Sequence, residues 1–208
     1  KGIGNAIIKS LVDENLVINI SRTKPILSHT NLTHVACDVL IDDLPNFETI
    51  DSLIYCPGSI NLKPISRLKL NDFRDDFEIN VIGAVKAIQH YLPSLKTGNK
   101  PSVLLFSTVA AKLGMPFHAS IAAAKSAVEG LTKTLGAELA PLIRVNAIAP
   151  TVTNTDLASK LLRNERMIEN IKERHPLKKY LDPKEVADLA TFLISDKANS
   201  ISGQIFEL

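Results

Sequence analysis

An α/β fold, a doubly wound parallel sheet flanked by helices in a single domain, is predicted by three features of this sequence. Short runs rich in β-branched residues alternate with longer amphipathic segments, which is typical of parallel strands covered by helices on both faces. The chain has 208 residues, 45% of them hydrophobic, which is enough to bury one sizeable core. Neither repeats nor a low-complexity linker divides it, so residues 1–208 are expected to form one domain.

The individual elements follow from hydrophobic periodicity and from the residues that cap and break helices. Strands are predicted at Leu16–Ile20, Thr33–Cys37, Ser52–Tyr55, Val103–Ser107, Arg144–Ile148 and Gln204–Leu208. Helices are predicted at Gly4–Asp13, Leu70–Leu92, His118–Leu139, Asp156–Glu173 and Asp182–Ser195. Asn71 or Asp72 is a suitable cap for the second helix, and Pro93 is expected to end it.

Composition excludes several classes of partner. A net charge of +2, with no tryptophan and 5% aromatic residues, argues against nucleic acid and against an anionic membrane. The two cysteines, Cys37 and Cys56, lack metal-binding spacing and suit a reducing compartment better than a disulfide framework. No apolar stretch is long enough for a membrane span and no signal peptide opens the chain. We therefore expect a cytoplasmic protein without a metal.

The sequence Lys1-Gly2-Ile3-Gly4 stands directly before the first predicted helix. Glycines there let the backbone approach a pyrophosphate, and the helix N-terminus stabilises its negative charge; an ordinary turn is the alternative. In a dinucleotide-binding fold such a turn follows a central strand. Because the neighbours of a missing central strand would carry unpaired backbone groups, about ten residues of strand and turn are expected before Lys1.

Arg22 follows the first predicted strand, where an acidic residue would hold the ribose 2′-hydroxyl of NAD. An arginine at this place suits the 2′-phosphate of NADP(H), and Lys1 adds a second basic group. A solvated surface arginine is the alternative interpretation. The two basic residues favour NADP(H) over NAD(H).

Three residues in the second half of the chain have a distinctive spacing. Thr108 ends an apolar run, Ile121 follows in the next helix, and Lys125 lies one turn after Ile121 on the same face. The run Arg144-Val145-Asn146-Ala147-Ile148-Ala149-Pro150 stands downstream. This frame resembles the short-chain dehydrogenase/reductase family, in which serine, tyrosine and lysine occupy the places of Thr108, Ile121 and Lys125. The resemblance spans the chain and implies a Rossmann-like fold.

The resemblance implies catalytic roles for three residues, and it shows that the family's proton-donor role has no matching residue in this chain. It implies that Thr108 orients the substrate, that Lys125 binds the nicotinamide ribose, and that Asn80 holds a water of the proton relay, unless that amide is satisfied by local backbone. The family's tyrosine is the proton donor. Ile121 cannot exchange a proton, so carbonyl reduction would lose a contribution of about 10² to 10⁴ in rate. His118 is a possible surrogate because imidazole carries protons near neutral pH, although a histidine at a helix start is more often a cap or surface residue.

Further cofactor contacts are implied by the same resemblance. Asp38 and Val39 would contact the adenine, and Gly58 would lie beside the adenosine ribose, with Tyr55 and Cys56 as packing residues. Residues 151–181 correspond to a substrate lid, and a plain amphipathic helix that packs on the core is the alternative. The complete set of implied cofactor-binding residues is Lys1, Gly2, Ile3, Gly4, Arg22, Asp38, Val39, Gly58, Asn80, Lys125, Pro150, Thr153 and Thr155.

The function expected from these residues is that of an NADP(H)-binding oxidoreductase. Its substrate would be a small carbonyl compound or alcohol, and its acid–base chemistry would be altered by Ile121. A non-catalytic dinucleotide-binding or assembly protein on the same fold is the alternative. The resemblance also implies a homodimer or homotetramer formed through the long helices Leu70–Leu92 and His118–Leu139.

Overall fold

Parallel strands form the centre of the protein in the computed structural model, which describes residues 2–208. The first two strands, β1 (Val17–Ser21) and β2 (Leu32–Ala36), pair with each other. The other four form a sheet in the order β3 (Ser52–Ile54), β4 (Ser102–Phe106), β5 (Arg144–Ala149) and β6 (Ile205–Glu207). All pairings are parallel, and each strand lies where the sequence predicts one.

Helices cover both faces of the four-stranded sheet. The helices of the structure are α1 (Ile3–Leu11), α2 (Leu70–Phe77), α3 (Gly83–Lys96), α4 (Ala119–Glu138), α5 (Glu165–Arg174) and α6 (Pro183–Ile194), of which α3 and α4 pack on one face of the sheet and α1 and α6 on the other. Along β4, Val103 and Leu105 pack into a core with α3 and α4, whereas Leu104 and Phe106 pack into a second core with α1 and α6. Because side chains alternate along a strand, burial on both faces requires an uninterrupted apolar run. This is the doubly wound α/β arrangement that the sequence predicts.

The helix predicted at Leu70–Leu92 differs from the observed structure in three ways. A π-helical segment, Glu78–Ile82, separates α2 from α3. Pro93 lies inside α3 and does not end it at Leu92, since the helix continues to Lys96. The N-cap is Lys69, and Asp72 contributes from inside the helix by accepting a hydrogen bond from the backbone N–H of Lys69 at 2.8 Å.

The helix predicted at Asp156–Glu173 is also shorter than expected. A 3₁₀ turn, Asp156–Ala158, precedes an irregular stretch, and α5 starts only after Asn164, whose side-chain oxygen accepts from the N–H of Met167 at 3.0 Å. That cap fixes the start of the helix. Among residues 2–208, no helix is long and apolar enough to cross a membrane.

The two sheets are not joined by a ladder. Within the described residues, β1 pairs only with β2, and β3 pairs only with β4. The strand expected before Lys1 lies outside the described residues and stays a prediction.

Candidate active site

The candidate residues gather at the carboxyl ends of the strands, where ligands bind in open α/β sheets. Thr108 follows β4 and Pro150 follows β5, so the parallel pairing of these strands brings the two residues together. The Thr108 hydroxyl lies 3.4 Å from the carbonyl oxygen of Pro150, to which it donates, and accepts from the N–H of Ala110 at 3.3 Å. Thr108 is half-buried, so its hydroxyl is held at the rim of the site.

Lys125 projects from α4 towards the end of β4. Its Nζ donates to the carbonyl oxygen of Phe106 at 2.7 Å. Burial lowers the pKa of Lys125 to about 8, while the charges of Cys56 and Asp76 act to raise it. The Cys56 thiol lies among many protein atoms, and this desolvation raises its pKa to about 12 although solvent reaches the residue.

Ile121 occupies α4 one turn before Lys125 and is only 3% exposed. Its side chain supplies neither a donor nor an acceptor to the site. His118 is the N-cap of α4, and its Nδ1 lies 2.7 Å from the carbonyl oxygen of Pro116. That hydrogen bond fixes the ring and leaves Nε2 for another partner.

Three of the candidate residues, Gly58, Asn80 and Lys125, border one small space. A β-carbon on Gly58 would lie 3.0 Å from Oδ1 of Asn80 and 3.8 Å from Nζ of Lys125. Asn80 is 1% exposed, and its Oδ1 has no hydrogen-bond donor among the described residues. A buried acceptor without a donor is unusual in a folded protein. The space beside Gly58 is thus suited to a ligand or water that donates a hydrogen bond.

Four polar residues next to this space were not identified from the sequence. The carboxylate of Asp76 is fully buried; its Oδ1 accepts from Ser59 Oγ at 2.6 Å and Asn61 Nδ2 at 3.0 Å, and its Oδ2 accepts from Ser120 Oγ at 2.6 Å. The signal for Asp76 was its place one turn before Asn80, which continues a polar stripe along an otherwise apolar helix face.

Tyr55 has a more specific role than the packing predicted for it. Its hydroxyl donates to the carbonyl oxygen of Ile79 at 2.7 Å, inside the π-helical segment. Gly83 makes room for this ring, since a β-carbon there would overlap the Tyr55 hydroxyl. Tyr55 therefore fixes the backbone next to Asn80.

The glycine turn meets the loop that follows β5. Gly2 has a φ of 80°, in the left-handed region that favours glycine, and a β-carbon there would lie 3.3 Å from Cγ2 of Thr155. Ile3 begins α1, and Gly4 packs against Cys56 at the end of β3, where a β-carbon would approach to 3.3 Å. A helix N-terminus beside a threonine hydroxyl can hold a phosphate group. Lys1 lies outside the described residues.

Arg22 and Asp38 come together at the ends of β1 and β2. Nη1 of Arg22 lies 3.8 Å from Oδ2 of Asp38, and the arginine side chain is 75% exposed. Val39 packs against the core beside them. The guanidinium therefore has most of its donors directed to solvent, where an anionic group can reach them.

The loop after Pro150 is held in place by hydrogen bonds of its threonines and by a bridge to Leu181. Thr153 is buried, donates from its hydroxyl to the carbonyl oxygen of Thr151 at 3.1 Å, and forms an isolated bridge with Leu181. Thr155 caps the following 3₁₀ turn through its hydroxyl, which accepts from the N–H of Ala158 at 3.3 Å. Residues 151–181, the predicted lid, thus start and end at one point on the sheet edge.

A cavity of about 550 Å³ lies between the segment that follows Thr108, the start of α4 and residues 63–65. Its wall is mainly apolar, and His118 lies in it together with two lysines. Both lysines are paired, Lys63 with Asp72 at 2.7 Å and Lys112 with Glu207 at 2.6 Å. The cavity is large enough for a small-molecule substrate.

Residues 28–208 match the family described as enoyl-(acyl carrier protein) reductase. The 2,5-dichloro-2,5-cyclohexadiene-1,4-diol dehydrogenase of Sphingobium indicum is 32% identical over 143 residues, which cover 67% of this chain and 57% of that protein. The 3-oxoacyl-[acyl-carrier-protein] reductase FabG of Staphylococcus epidermidis is 27% identical over 225 residues, covering 98% of this chain and 91% of that protein. The chain thus spans little more than half of the first relative and most of the second.

A comparison with solved structures also finds similarity to a dehydrogenase. The ligand-free structure of the aldohexose dehydrogenase AldT from Thermoplasma acidophilum superposes with a TM-score of 0.89 at 27% identity, covering 100% of this chain and 88% of that one. The doubly wound parallel sheet agrees with this likeness. The chain belongs to the short-chain dehydrogenase/reductase family of oxidoreductases.

Proposed function

We propose that the protein binds NADP(H) and transfers a hydride between this cofactor and a small carbonyl compound or alcohol, with altered acid–base chemistry. The observation that carries the proposal is the space shared by Gly58, Asn80 and Lys125, which is faced by a half-buried ammonium and by an acceptor that has no donor among the described residues. The names of the two relatives, a diol dehydrogenase and a 3-oxoacyl reductase, support this substrate class.

The described residues fit a dinucleotide along the sheet edge. Arg22 and Asp38 would hold its adenosine end, Gly2 and Thr155 would hold its pyrophosphate, and Lys125 would hold the nicotinamide ribose. Bound there, NADP(H) would supply or take up the hydride. The exposed guanidinium of Arg22 supports the preference for a 2′-phosphate.

Proton transfer is the step that distinguishes this protein from the family pattern. The Thr108 hydroxyl can bind a substrate oxygen, whereas Ile121 offers no proton to it. His118 lines the neighbouring cavity with its Nε2 unused by the Pro116 contact, which supports it as a surrogate acid. Slow turnover is therefore expected of the parent protein.

A non-catalytic dinucleotide-binding protein is the second candidate, and the burial of Ile121 favours it. At 3% exposure, this side chain contributes to packing at the position where the family keeps a titratable group. Every residue proposed to hold the cofactor is compatible with binding alone. Turnover separates the two candidates, and nucleotide binding does not.

The experiment that tests the cofactor proposal compares two substitutions in neighbouring basic residues. NADPH and NADH are titrated by calorimetry into the parent protein, Arg22→Ser and Lys24→Ser. We expect the parent to bind NADPH more tightly, and Arg22→Ser to lose at least about tenfold of that preference. Lys24→Ser, which removes an exposed charge two residues further on, should keep it. Binding of neither nucleotide by the parent protein would overturn the proposal.

A homodimer or homotetramer is proposed as the assembly. The apolar faces of the long helices are long enough to serve both a core and an interface, and Val81, Ala84 and Ile88 belong to the core. Exposed apolar side chains lie instead at Leu70, Phe77 and Ile82. A groove of about 310 Å³ between α2 and α4 continues this surface. Light scattering after size exclusion tests the assembly, and a monomer at all concentrations would exclude it.

A cytoplasmic location is proposed from the cysteines. Cys37 and Cys56 are both free thiols in the fold, as suits a reducing compartment. Cell fractionation tests the location.

A further inference from the structure

Asp76 is a buried carboxylate next to the candidate site that the proposed function does not use. A carboxylate is among the most unfavourable groups to bury, and it is tolerated where hydrogen bonds satisfy it. Three donors surround it, the hydroxyls of Ser59 and Ser120 and the side-chain amide of Asn61. They come from the loop after β3 and from the first turn of α4. The carboxylate therefore joins three parts of the chain beside Ile121 and Asn80.

The direction of the hydrogen bonds around Asp76 is fixed by chemistry. An ionised carboxylate only accepts, so Ser59, at 2.6 Å, gives its single hydroxyl proton to Asp76. Towards Asn80, the Ser59 oxygen can then only accept, and Nδ2 of Asn80 lies 3.3 Å from it. The backbone carbonyl of Asp76 accepts from the same Nδ2 at 2.8 Å. Because the Ser59 hydroxyl oxygen and the Asp76 carbonyl are both acceptors, the side-chain amide of Asn80 must direct its nitrogen towards them.

The oxygen of Asn80 consequently faces the opposite side. There it borders the space in front of Gly58, as does Nζ of Lys125, and no donor among residues 2–208 reaches it. An amide with the reverse orientation would direct its NH₂ group into the space that the lysine ammonium also borders, so that the site would offer two donors and no acceptor. The order of donors and acceptors from Asp76 through Ser59 to Asn80 thus determines what the site offers a ligand.

We propose that Asp76 is a positioning residue of this site: its carboxylate, acting through Ser59, turns the side-chain oxygen of Asn80 towards Lys125, and its negative charge supports the lysine ammonium. This inference rests on the proposed function, because the Asn80 oxygen and the ammonium are the groups that would meet the bound cofactor or the water between them. It adds to the reaction a residue that does not itself touch the reacting atoms.

Two titratable groups act on Lys125 from the elements around it, Cys56 at the end of β3 and Asp76 on α2. The raised pKa of Cys56, about 12, leaves its thiol neutral over the working range. Asp72, on the same helix, is paired with Lys63. Asp76 is therefore the group whose removal should lower the pKa of Lys125, because a nearby opposite charge favours the charged lysine.

The test uses NMR on the protein without any nucleotide. The Cε and Nζ resonances of Lys125 are followed from pH 6 to 11, and the exchange of the Asn80 side-chain NH₂ protons is measured at one pH. Asp76→Asn removes the charge with little change in volume, and Ser59→Ala interrupts the chain but keeps the charge. Asp75→Asn is the matched control, since this carboxylate is the exposed neighbour of Asp76.

We expect Asp76→Asn to lower the pKa of Lys125 and to increase exchange of the Asn80 NH₂ protons by about tenfold. Ser59→Ala should increase the exchange while leaving the lysine titration nearly unchanged, and Asp75→Asn should change neither. An unaltered lysine titration in Asp76→Asn, or unaltered exchange in Ser59→Ala, overturns the proposal. If Asp76→Asn does not fold, the exchange in Ser59→Ala decides. The proposed function fails by a different result, the absence of nucleotide binding by the parent protein.

Discussion

The ammonium group of Lys125 lies in the interior of the site, where its hydrogen bond to Phe106 at 2.7 Å offsets part of the unfavourable burial of a charge. Burial lowers the pKa of Lys125 to about 8, from the 10.5 that is usual for a lysine in water. Between these two pH values the unfolded chain binds more protons than the folded one at this residue. Its contribution to the free energy of unfolding therefore increases as the pH rises from about 8 to 10.5.

Replacing this lysine should have opposite effects on stability and on nucleotide binding. We expect Lys125→Met to be more stable than the parent at pH 7, by about 1 kcal/mol once solvent access is allowed for, and to lose this advantage by pH 10.5. Urea denaturation at both pH values measures it, with the exposed Lys133→Met on the same helix as control. NADPH binding by Lys125→Met should be weaker. Equal destabilisation at both pH values would show that the hydrogen bond outweighs burial of the charge.

Restoring the phenol at position 121 should increase turnover. Ile121→Tyr places a proton donor one turn before Lys125, and we expect carbonyl reduction with NADPH to rise by about 10² to 10⁴. The larger side chain enters a packed position and should lower the free energy of unfolding by about 1 to 3 kcal/mol. Ile121→Phe is the matched control, since it has the ring without the hydroxyl. If Ile121→Phe gains as much activity as Ile121→Tyr, the effect is one of packing and not of proton transfer.

The π-helical segment between α2 and α3 is contacted by a side chain from outside these helices. The π-helical segment Glu78–Ile82 leaves backbone groups without their usual partners, and Tyr55, which follows β3, supplies a donor to one of them at Ile79. Gly83 is needed because a side chain there would overlap the tyrosine hydroxyl. Asn80 lies inside this segment, so the irregularity also positions a candidate site residue.

Gly83→Ala tests this contact between elements. Alanine favours a helix by about 1 kcal/mol over glycine, but here its methyl group must displace the Tyr55 hydroxyl, and we expect a net loss of about 1 to 3 kcal/mol. In a Tyr55→Phe background the loss should be smaller by at least about 0.5 kcal/mol, since the overlapping atom is gone. Urea unfolding of the four proteins measures this coupling. Additive effects of the two substitutions would contradict the proposed contact.

The same helix shows why sequence patterns predict some features and miss others. Amphipathic periodicity correctly indicated a helix from Leu70 onward, and strand ends correctly indicated where Thr108 and Pro150 lie. The π segment depends on Tyr55, which is distant in the chain, so local periodicity does not contain it. Asp76 is buried only because Ser59, Asn61 and Ser120 arrive from other elements. Motifs read along the chain find residues at strand ends, whereas a polar cluster inside the core requires tertiary contacts.

At the scale of the whole molecule, the proposed cofactor would contact both the β1–β2 pair and the four-stranded sheet. Arg22 and Asp38 lie on the β1–β2 pair, and the other proposed contacts lie on the four-stranded sheet and on α1. All residues of β4 and β5 are buried, but those of β1 and β2 are half-buried or exposed. Local opening should therefore be easier at the β1–β2 pair.

Hydrogen exchange should report this difference and its loss on binding. Without nucleotide, we expect backbone amides of Val17–Ser21 and Leu32–Ala36 to exchange faster than those of β4 and β5. If opening of the pair separates Arg22 and Asp38 from the remaining contacts, NADPH at 100 times its dissociation constant should slow their exchange by up to about 100-fold. Amides at the C-terminal end of α3 serve as control, because their opening breaks no proposed contact. Exchange in β1 and β2 that is unchanged by saturating NADPH would show that the adenosine end does not bind at Arg22 and Asp38.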